Sequence, residues 1–548
     1  MSRNMTDYEA TCRDFSLVVP ERFNWAFDVF DGWARDPAKL ALLWVSPDGI
    51  PRRFTFAELS ERSRQFANVL ISLGVTPAER VFVMLPRVYQ WWEIVLGCLR
   101  ARTVSVPGTT LLTTKDIQYR LGISEPSVVI TDEENQWKID QVIAECPSVK
   151  HRIVVGRGSG AWLEYEALVA RAKSDMVHPH NASGDPMMIY FTSGTTGYPK
   201  MVLHTHASYP IGHVITGKFW LDNTPDDLHW TISDTGWAQA AWTCVFAPWN
   251  MGAALFVWDA RGKKFEPAEA LAMFERFPIT TFFAPPTAYR MFVQEPLKKF
   301  RFPTLRHCLG AGEAVNPEVI DAWKEGTGHH IYEGYGQTET VLVAATFPAT
   351  PWKPGSMGPV APGHVLGIVD DDGRELPRGT EGDIAISVKP ERPVGMFREY
   401  WRNPEATEKC HRGDWYVTGD RGSMDEDGYL WFVGRADDVI NSASYRIGPF
   451  EVESALVEHA AVAEAAVIGK ADALRGEIVK AFVVLAPGYT ASETLAVELQ
   501  EHVKTVTAPY KYPREVEFVA DLPKTISGKI RRTELREMER KRAASSRG

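Results

Sequence analysis

The chain has 548 residues, 45% apolar and 24% charged, which is enough to build a large packed core. At roughly 150 residues per domain it has room for about three or four domains or subdomains. Its 60 basic and 70 acidic residues leave a formal charge of −10, which argues against a nucleic-acid partner but leaves room for a local basic pocket that could take a phosphate ligand.

The N-terminal stretch MSRNMTDYEATCRDF carries acids early and has no apolar h-region, so it reads as neither a secretory signal nor a good transit peptide. Roughly the first 300 residues then alternate short β-rich runs with helical patterns. Apolar runs at 81–85, 104–106, 128–130, 153–155, 187–191, 255–258 and 280–284 predict strands. A helix is predicted to open at Thr55-Phe-Ala-Glu58, a capping-box pattern, and Leu59, Phe66, Val69, Leu70 and Leu73 continue it at a 3.6-residue period. Strand–helix alternation of this kind predicts a mostly parallel sheet covered by helices.

Near Gly355 the texture changes. GSMGPVAPG, LGIVDDDGREL, EGDIAISV and DEDGYLWFVGR read as short strands joined by Gly and Asp turns, a small β subdomain over about 355–434. A last α/β segment follows, with strand patterns in AVAEAAVIGK, EIVKAFVVLAPG and VEFVADLP and a helix near 494–506. The expected boundary lies at Arg435-Ala-Asp-Asp438, dividing the chain into 1–436 and 437–548, and the charged tail EMERKRAASSRG is expected to fray. No run of about 18 apolar residues predicts a membrane helix. Cys12, Cys98, Cys146, Cys244, Cys308 and Cys410 are scattered, without a CxxC pair or metal-ligand spacing. They read as reduced thiols, and the expectation is a cytoplasmic protein.

Four stretches carry chemistry. In IYFTSGTTGYPK at 189–200, a β run feeds hydroxyls and glycines and ends in a lysine. Glycines allow close backbone approach, successive N–H groups form an anion nest, and Thr192, Ser193, Thr195, Thr196 and Lys200 add donors and charge. This predicts a polyphosphate cradle, and the spacing is not that of a Walker A loop. YEGYGQTE at 332–339 offers aromatic faces for a purine, then a hydroxyl and a carboxylate. Glu339 could hold Mg²⁺, a hard cation that shares oxygen ligands with substrate phosphates, although alone the stretch reads rather as an ordinary turn with an exposed glutamate. TGD at 418–420 and Arg435 flank a predicted hairpin, which would bring Asp420 and Arg435 to one ligand, a ribose, or leave them as a surface ion pair. PKTISGKIR at 523–531 places Lys529 after a glycine, where a lone lysine would otherwise be tail charge.

Together and in this order, TSGTTGYPK, YGQTE, TGD, GRADDVI and PKTISGK resemble the adenylate-forming superfamily of acyl-CoA synthetases, adenylation domains and luciferases, over essentially the whole chain. SDTGW at 233–237, YRIGPFEVESALVEH at 445–459, RGEIVKAFVVL at 475–485 and TAPYKYPREVEFV at 507–519 are most similar to its medium-chain acyl-CoA synthetase branch. The resemblance implies an α/β multidomain fold: a large N-terminal domain with parallel sheets and a small β subdomain, and a small mobile α+β C-terminal domain. It implies an ATP-dependent ligase that makes an acyl-adenylate and pyrophosphate from a carboxylic acid, then acyl-CoA and AMP.

By the same resemblance, Thr192, Ser193, Gly194, Thr195, Thr196, Gly197 and Lys200 hold the ATP phosphates. Gly312, Glu313, Ala314 and Tyr335 flank adenine, with Glu333 and Gln337 in the same nucleotide site. Thr338 and Glu339 serve phosphate and Mg²⁺, Asp420 and Arg435 the ribose, and Arg446 a phosphate. Asp437 is the hinge and Lys529 the lysine of the adenylation conformation. Arg475, Lys504 and Arg514 meet coenzyme A, with Tyr445 near the thiol path. Trp237 and the Gly310-Ala311-Gly312 turn are candidate walls of the acyl pocket, for a medium-chain, branched or aromatic acid. One position departs from the family: Ser444 stands where a glycine usually precedes Tyr445, which bears on thioester formation more than on adenylation. The alternatives are a stand-alone adenylation enzyme that acylates a carrier protein and a nucleotide-binding pseudoenzyme. The expected partners are therefore the acid, ATP and coenzyme A.

Overall fold

The structure, a computed structural model, describes residues 4–192, 199–261, 265–442, 445–472, 475–525 and 529–545. All seven apolar runs become strands. They belong to two eight-stranded sheets that are parallel except at their edges. In one, Arg80–Met84 and Val104–Pro107 lie at the centre, and the sheet is extended past Pro186–Thr192 by the antiparallel strands Lys200–Thr205 and Glu399–Tyr400. The other is built around Thr281–Ala284 and His307–Ala311, and Leu342–Ala345 closes one edge antiparallel to Ile331–Gly336.

Helices bury one face each against these sheets. Phe56–Ser72 is the predicted capping-box helix: the Thr55 hydroxyl accepts from the Glu58 N–H at 3.1 Å, and the Glu58 carboxylate accepts from the Thr55 N–H at 2.7 Å. Its apolar stripe buries Leu59, Phe66, Val69 and Leu70 in the largest core cluster. A cap of this kind is worth about 1 kcal/mol, and burial of the stripe supplies far more.

A third sheet is antiparallel throughout and runs from Ser356–Pro359 to Tyr429–Arg435. The smaller C-terminal domain folds on a five-stranded sheet centred on Gly476–Leu485, which pairs along its length with Val462–Asp472. The helices Pro449–Val457 and Glu493–Val506 cover this sheet.

The expectation of a frayed tail fails over 537–545; residues 546–548 lie outside the described residues. Residues Arg532–Ser545 form a helix whose Leu535 is buried against Ala466, Ile468 and Phe482. Glu539 is also buried and pairs with Lys480 at 2.8 Å. One of the charges that suggested solvation is held in a buried ion pair; Glu537, Arg540, Lys541 and Arg542 are exposed. Among the described residues no helix is long and apolar enough to cross a membrane, and all six cysteines are free thiols.

Candidate active site

Between the large and small domains lies a cleft of about 1730 Å³. Its floor is formed where strands of both parallel sheets end. Thr192 is the last residue of Pro186–Thr192 and pairs with Lys200, the first residue of the returning strand. Both line the cleft. Ser193, Gly194, Thr195, Thr196 and Gly197 form the connection between them and lie outside the described residues, as does Ser444.

The Tyr332–Glu339 stretch enters the cleft from the end of Ile331–Gly336. Its backbone is pinned from below. The Thr338 carbonyl accepts from the Tyr209 hydroxyl at 2.6 Å and from His204 Nε2 at 2.7 Å. Burial pushes His204 down to about 3, so the ring is neutral, and its Nδ1 takes the Ser208 hydroxyl at 2.9 Å. Glu339 is buried at the cleft wall, and its carboxylate accepts from the Tyr400 hydroxyl at 2.7 Å. Burial raises its pKa; the Tyr400 hydrogen bond and the charges of Arg435 and Lys200 oppose the rise.

Asp420 and Arg435 face each other directly across the hairpin of Trp415–Met424 and Tyr429–Arg435. They pair at 2.7 Å; Asp420 is 4% exposed, while the Arg435 side chain is 39% exposed, so the pair is buried on its carboxylate side. The Tyr335 hydroxyl and the Gln337 amide each donate to the other Asp420 oxygen at 2.7 Å. One carboxylate thus locks together three of the residues expected at a nucleoside.

Glu333 is buried beside them. One of its oxygens accepts from the Val315 N–H at 2.8 Å, and the other has no partner among the described residues. Burial raises its pKa to about 8. Gly312, Glu313 and Ala314 follow the neighbouring strand His307–Ala311 and also line the cleft. Gly312 has φ of +100°, a left-handed turn that glycine adopts freely, with open space where a Cβ would stand. Glu313 lies 3.5 Å from Arg290.

The apolar part of the cleft is walled by Trp237, Trp242, Phe283 and Ala311. The SDTGW turn packs so tightly that a Cβ on Gly236 would stand 2.1 Å from the Thr109 nitrogen. From the small domain come Asp437 and Lys529, both lining the cleft.

Not every expected residue is there. Tyr445 is 52% exposed and stacks on Tyr510 with ring centres 4.2 Å apart. Lys504 and Arg514 flank the Tyr512 ring at 4.2 and 5.0 Å, and Arg475 is exposed at a turn beside Asp472. None of these four lines the cleft. Arg446 sits in the short strand Tyr445–Ile447, and its side chain lies outside the described residues. The expected nucleotide residues thus converge, while the expected coenzyme A residues sit on another face of the small domain. Sequence reasoning missed Tyr400, Tyr209 and His204. All three support the 337–339 turn from segments remote in sequence, and no local pattern marks them.

Comparison with known proteins decides the family. The AMP-binding enzyme profile matches residues 29–401, and that of the AMP-binding enzyme C-terminal domain matches 451–529. The chain belongs to the AMP-binding enzyme family. The human acyl-coenzyme A synthetase ACSM3, mitochondrial, is 48% identical over 547 residues, covering 98% of this chain and 93% of the relative. The human ACSM5 relative, also named mitochondrial, is 47% identical and covers 95% and 91%. Among solved structures, the anthranilate CoA ligase AuaEII in complex with anthranoyl-AMP superimposes with a TM-score of 0.88 at 30% identity, covering 96% of this chain and 99% of that one. A benzoate CoA ligase from Burkholderia xenovorans LB400 gives 0.82 at 29% identity, covering 94% and 100%.

This AMP-binding enzyme is an AMP-forming acid–coenzyme A ligase of the medium-chain acyl-CoA synthetase type, with ATP and coenzyme A as substrates. The expectation of a cytoplasmic protein is overturned, since these curated relatives are all named mitochondrial. Scattered reduced thiols speak of redox state and do not name a compartment.

Proposed function

We propose that this ligase activates a medium-chain, branched or aromatic carboxylic acid held against Trp237 and Ala311, and that the described conformation is the one that makes the acyl-adenylate. The observation that carries the reading is that Lys529 of the small domain lines the same cleft as Lys200, Glu339 and the Asp420–Arg435 pair. A carboxylate attacking the α-phosphorus meets a polyanion, so the step needs positioning and charge neutralisation more than covalent chemistry. Lys200 and Lys529 bring ammonium groups to where negative charge gathers. Asp420 accepts from the ribose hydroxyls, with Arg435 paired to its other side at 2.7 Å. Tyr335, Gly312 and Ala314 enclose the adenine, and Glu333 and Gln337 stand at its edge.

The donor set at Glu339 fits magnesium: a buried carboxylate and the nearby hydroxyls of Thr192 and Thr338 are hard oxygen ligands. Among the described residues no three His, Cys, Asp or Glu converge on a metal position, which suits a cation carried largely by substrate phosphates. Bound there, Mg²⁺ would supply neutralisation of phosphate charge.

For the second half-reaction the thiol must reach the acyl carbon, a position shared with Lys529. The small domain, 437–548, turns about Asp437 and brings Tyr445, Arg446, Arg475, Lys504 and Arg514 to coenzyme A. Acid-dependent release of pyrophosphate before coenzyme A is added, followed by acyl-CoA formation on its addition, is the expected result across a panel of C2 to C12, branched and aromatic acids. Equal activity on all acids would remove the assigned acyl pocket. Transfer to a carrier protein but not to coenzyme A would remove the second step.

A further inference from the structure

The strand Glu399–Tyr400 is an edge strand of two residues, too short to add much to its sheet. Its value lies in what it grips. Tyr400 pairs with Val202 and Glu399 with Leu203, while the N–H groups of Arg398 and Trp401 donate to Leu203 and Met201, each at 2.7 Å. The same segment holds the metal-site turn, because the Phe397 N–H donates to the Glu339 carbonyl at 2.7 Å. Tyr400 then joins the two. Its hydroxyl donates to the Glu339 carboxylate at 2.7 Å, and the Lys200 ammonium lies 4.6 Å from its ring centre. The ring is 6% exposed and packs on Phe397, so its rotamer is set by the core.

The geometry points to Tyr400 as a positioning residue of the adenylation step: one side chain orients the Glu339 carboxylate through its hydroxyl and seats the Lys200 ammonium over its ring face. A carboxylate with one oxygen held by an O–H presents the other in a fixed direction. A cation over a ring face is held there by the ring's negative face. Both groups are thereby set before the nucleotide arrives. This inference rests on the roles proposed above for Glu339 and Lys200.

Tyr400→Phe removes the hydroxyl and keeps the ring; Tyr400→Leu removes both. Outer-shell partners of metal ligands typically contribute about 10- to 100-fold in affinity or activity. Tyr400→Phe is therefore expected to lower acid-dependent ATP–pyrophosphate exchange at least about tenfold, with transfer from preformed acyl-adenylate to coenzyme A kept within about twofold. Calorimetric titration of ATP with and without Mg²⁺ gives a readout separate from turnover. The Tyr400→Phe variant should lose most of the affinity that Mg²⁺ adds and keep its metal-free affinity. Tyr400→Leu should weaken the metal-free affinity as well, through Lys200.

Glu339→Gln run in parallel separates the failures. If it abolishes the Mg²⁺ gain while Tyr400→Phe retains it, the positioning role is wrong and the role of Glu339 stands. If Glu339→Gln itself retains the gain, the role of Glu339 falls and this inference falls with it. Equal losses in exchange and transfer for Tyr400→Phe would mark a general packing defect and overturn the proposal.

Discussion

Glu333→Gln tests the electrostatics of the nucleotide wall. The carboxyl is raised from 4.5 to about 8, by burial and against the hydrogen bond from the Val315 N–H. Between those two values the folded protein keeps a proton that the unfolded chain has released. Stability at this site is therefore fully present below about pH 4.5 and is lost as pH rises towards 8. The gap is about 3.5 pH units, and each unit is worth about 1.4 kcal/mol, so the site forfeits up to about 5 kcal/mol across that window. Glutamine is nearly isosteric and does not titrate. Its carbonyl oxygen can keep the Val315 N–H, but its amide N–H₂ takes the place of an oxygen with no partner among the described residues. That costs about 1–3 kcal/mol at every pH. The variant should be the less stable protein at pH 5 and the more stable one at pH 9, with crossing midpoints in urea unfolding followed by tryptophan fluorescence of the large domain. A midpoint difference that stays constant from pH 5 to 9 would refute the raised carboxyl.

Three further outcomes are expected. Lys529→Ala should lower acid-dependent pyrophosphate release by about 10²–10³ and spare transfer from purified acyl-adenylate; equal losses in both would contradict its assignment. Asp437→Pro fixes φ near −65° at the proposed hinge, so one half-reaction should suffer far more than the other in single-turnover assays, and small equal losses would place the hinge elsewhere. Gly236→Ala puts a Cβ 2.1 Å from the Thr109 backbone nitrogen, which should cost about 1–3 kcal/mol in thermal stability and distort the Trp237 wall; unaltered melting and acid preference would show that the turn yields freely.

What was legible in the sequence was local. Seven apolar runs announced strands because buried parallel strands are continuous β-branched and aromatic stretches. Thr55 and Glu58 announced a helix because a capping box is satisfied within four residues. Asp420 and Arg435 could be paired because a hairpin makes distant numbers neighbours by a short turn. His307–Ala311 and Leu228–Thr231 escaped notice because His, Gly and Thr break the apolar run. Tyr400 escaped because its partners, Val202, Glu339 and Lys200, are far from it in sequence. The last helix was misread because Glu539 pairs not only with Arg542 in its own helix but with Lys480, which anchors it to the sheet and which no window around the tail contains. The separation of Lys529 from Tyr445 and Lys504 was expected only through the family resemblance, since a chain does not itself state which face of a domain looks inward.

That separation has a kinetic consequence. Lys529 and Tyr445 are borne by one small domain whose sheet packs both Pro449–Val457 and Arg532–Ser545, and Asp438 next to the boundary pairs with Arg536 of the last helix at 2.8 Å. The two side chains therefore travel together and cannot take turns independently. On the proposed rotation about Asp437, each catalytic cycle includes two opposite swings of the same body, one after adenylation and one before the next. Raising coenzyme A can then speed only the first of these. At saturating thiol the turnover number is capped by the return swing, and solvent viscosity should slow it even when every chemical step is fast.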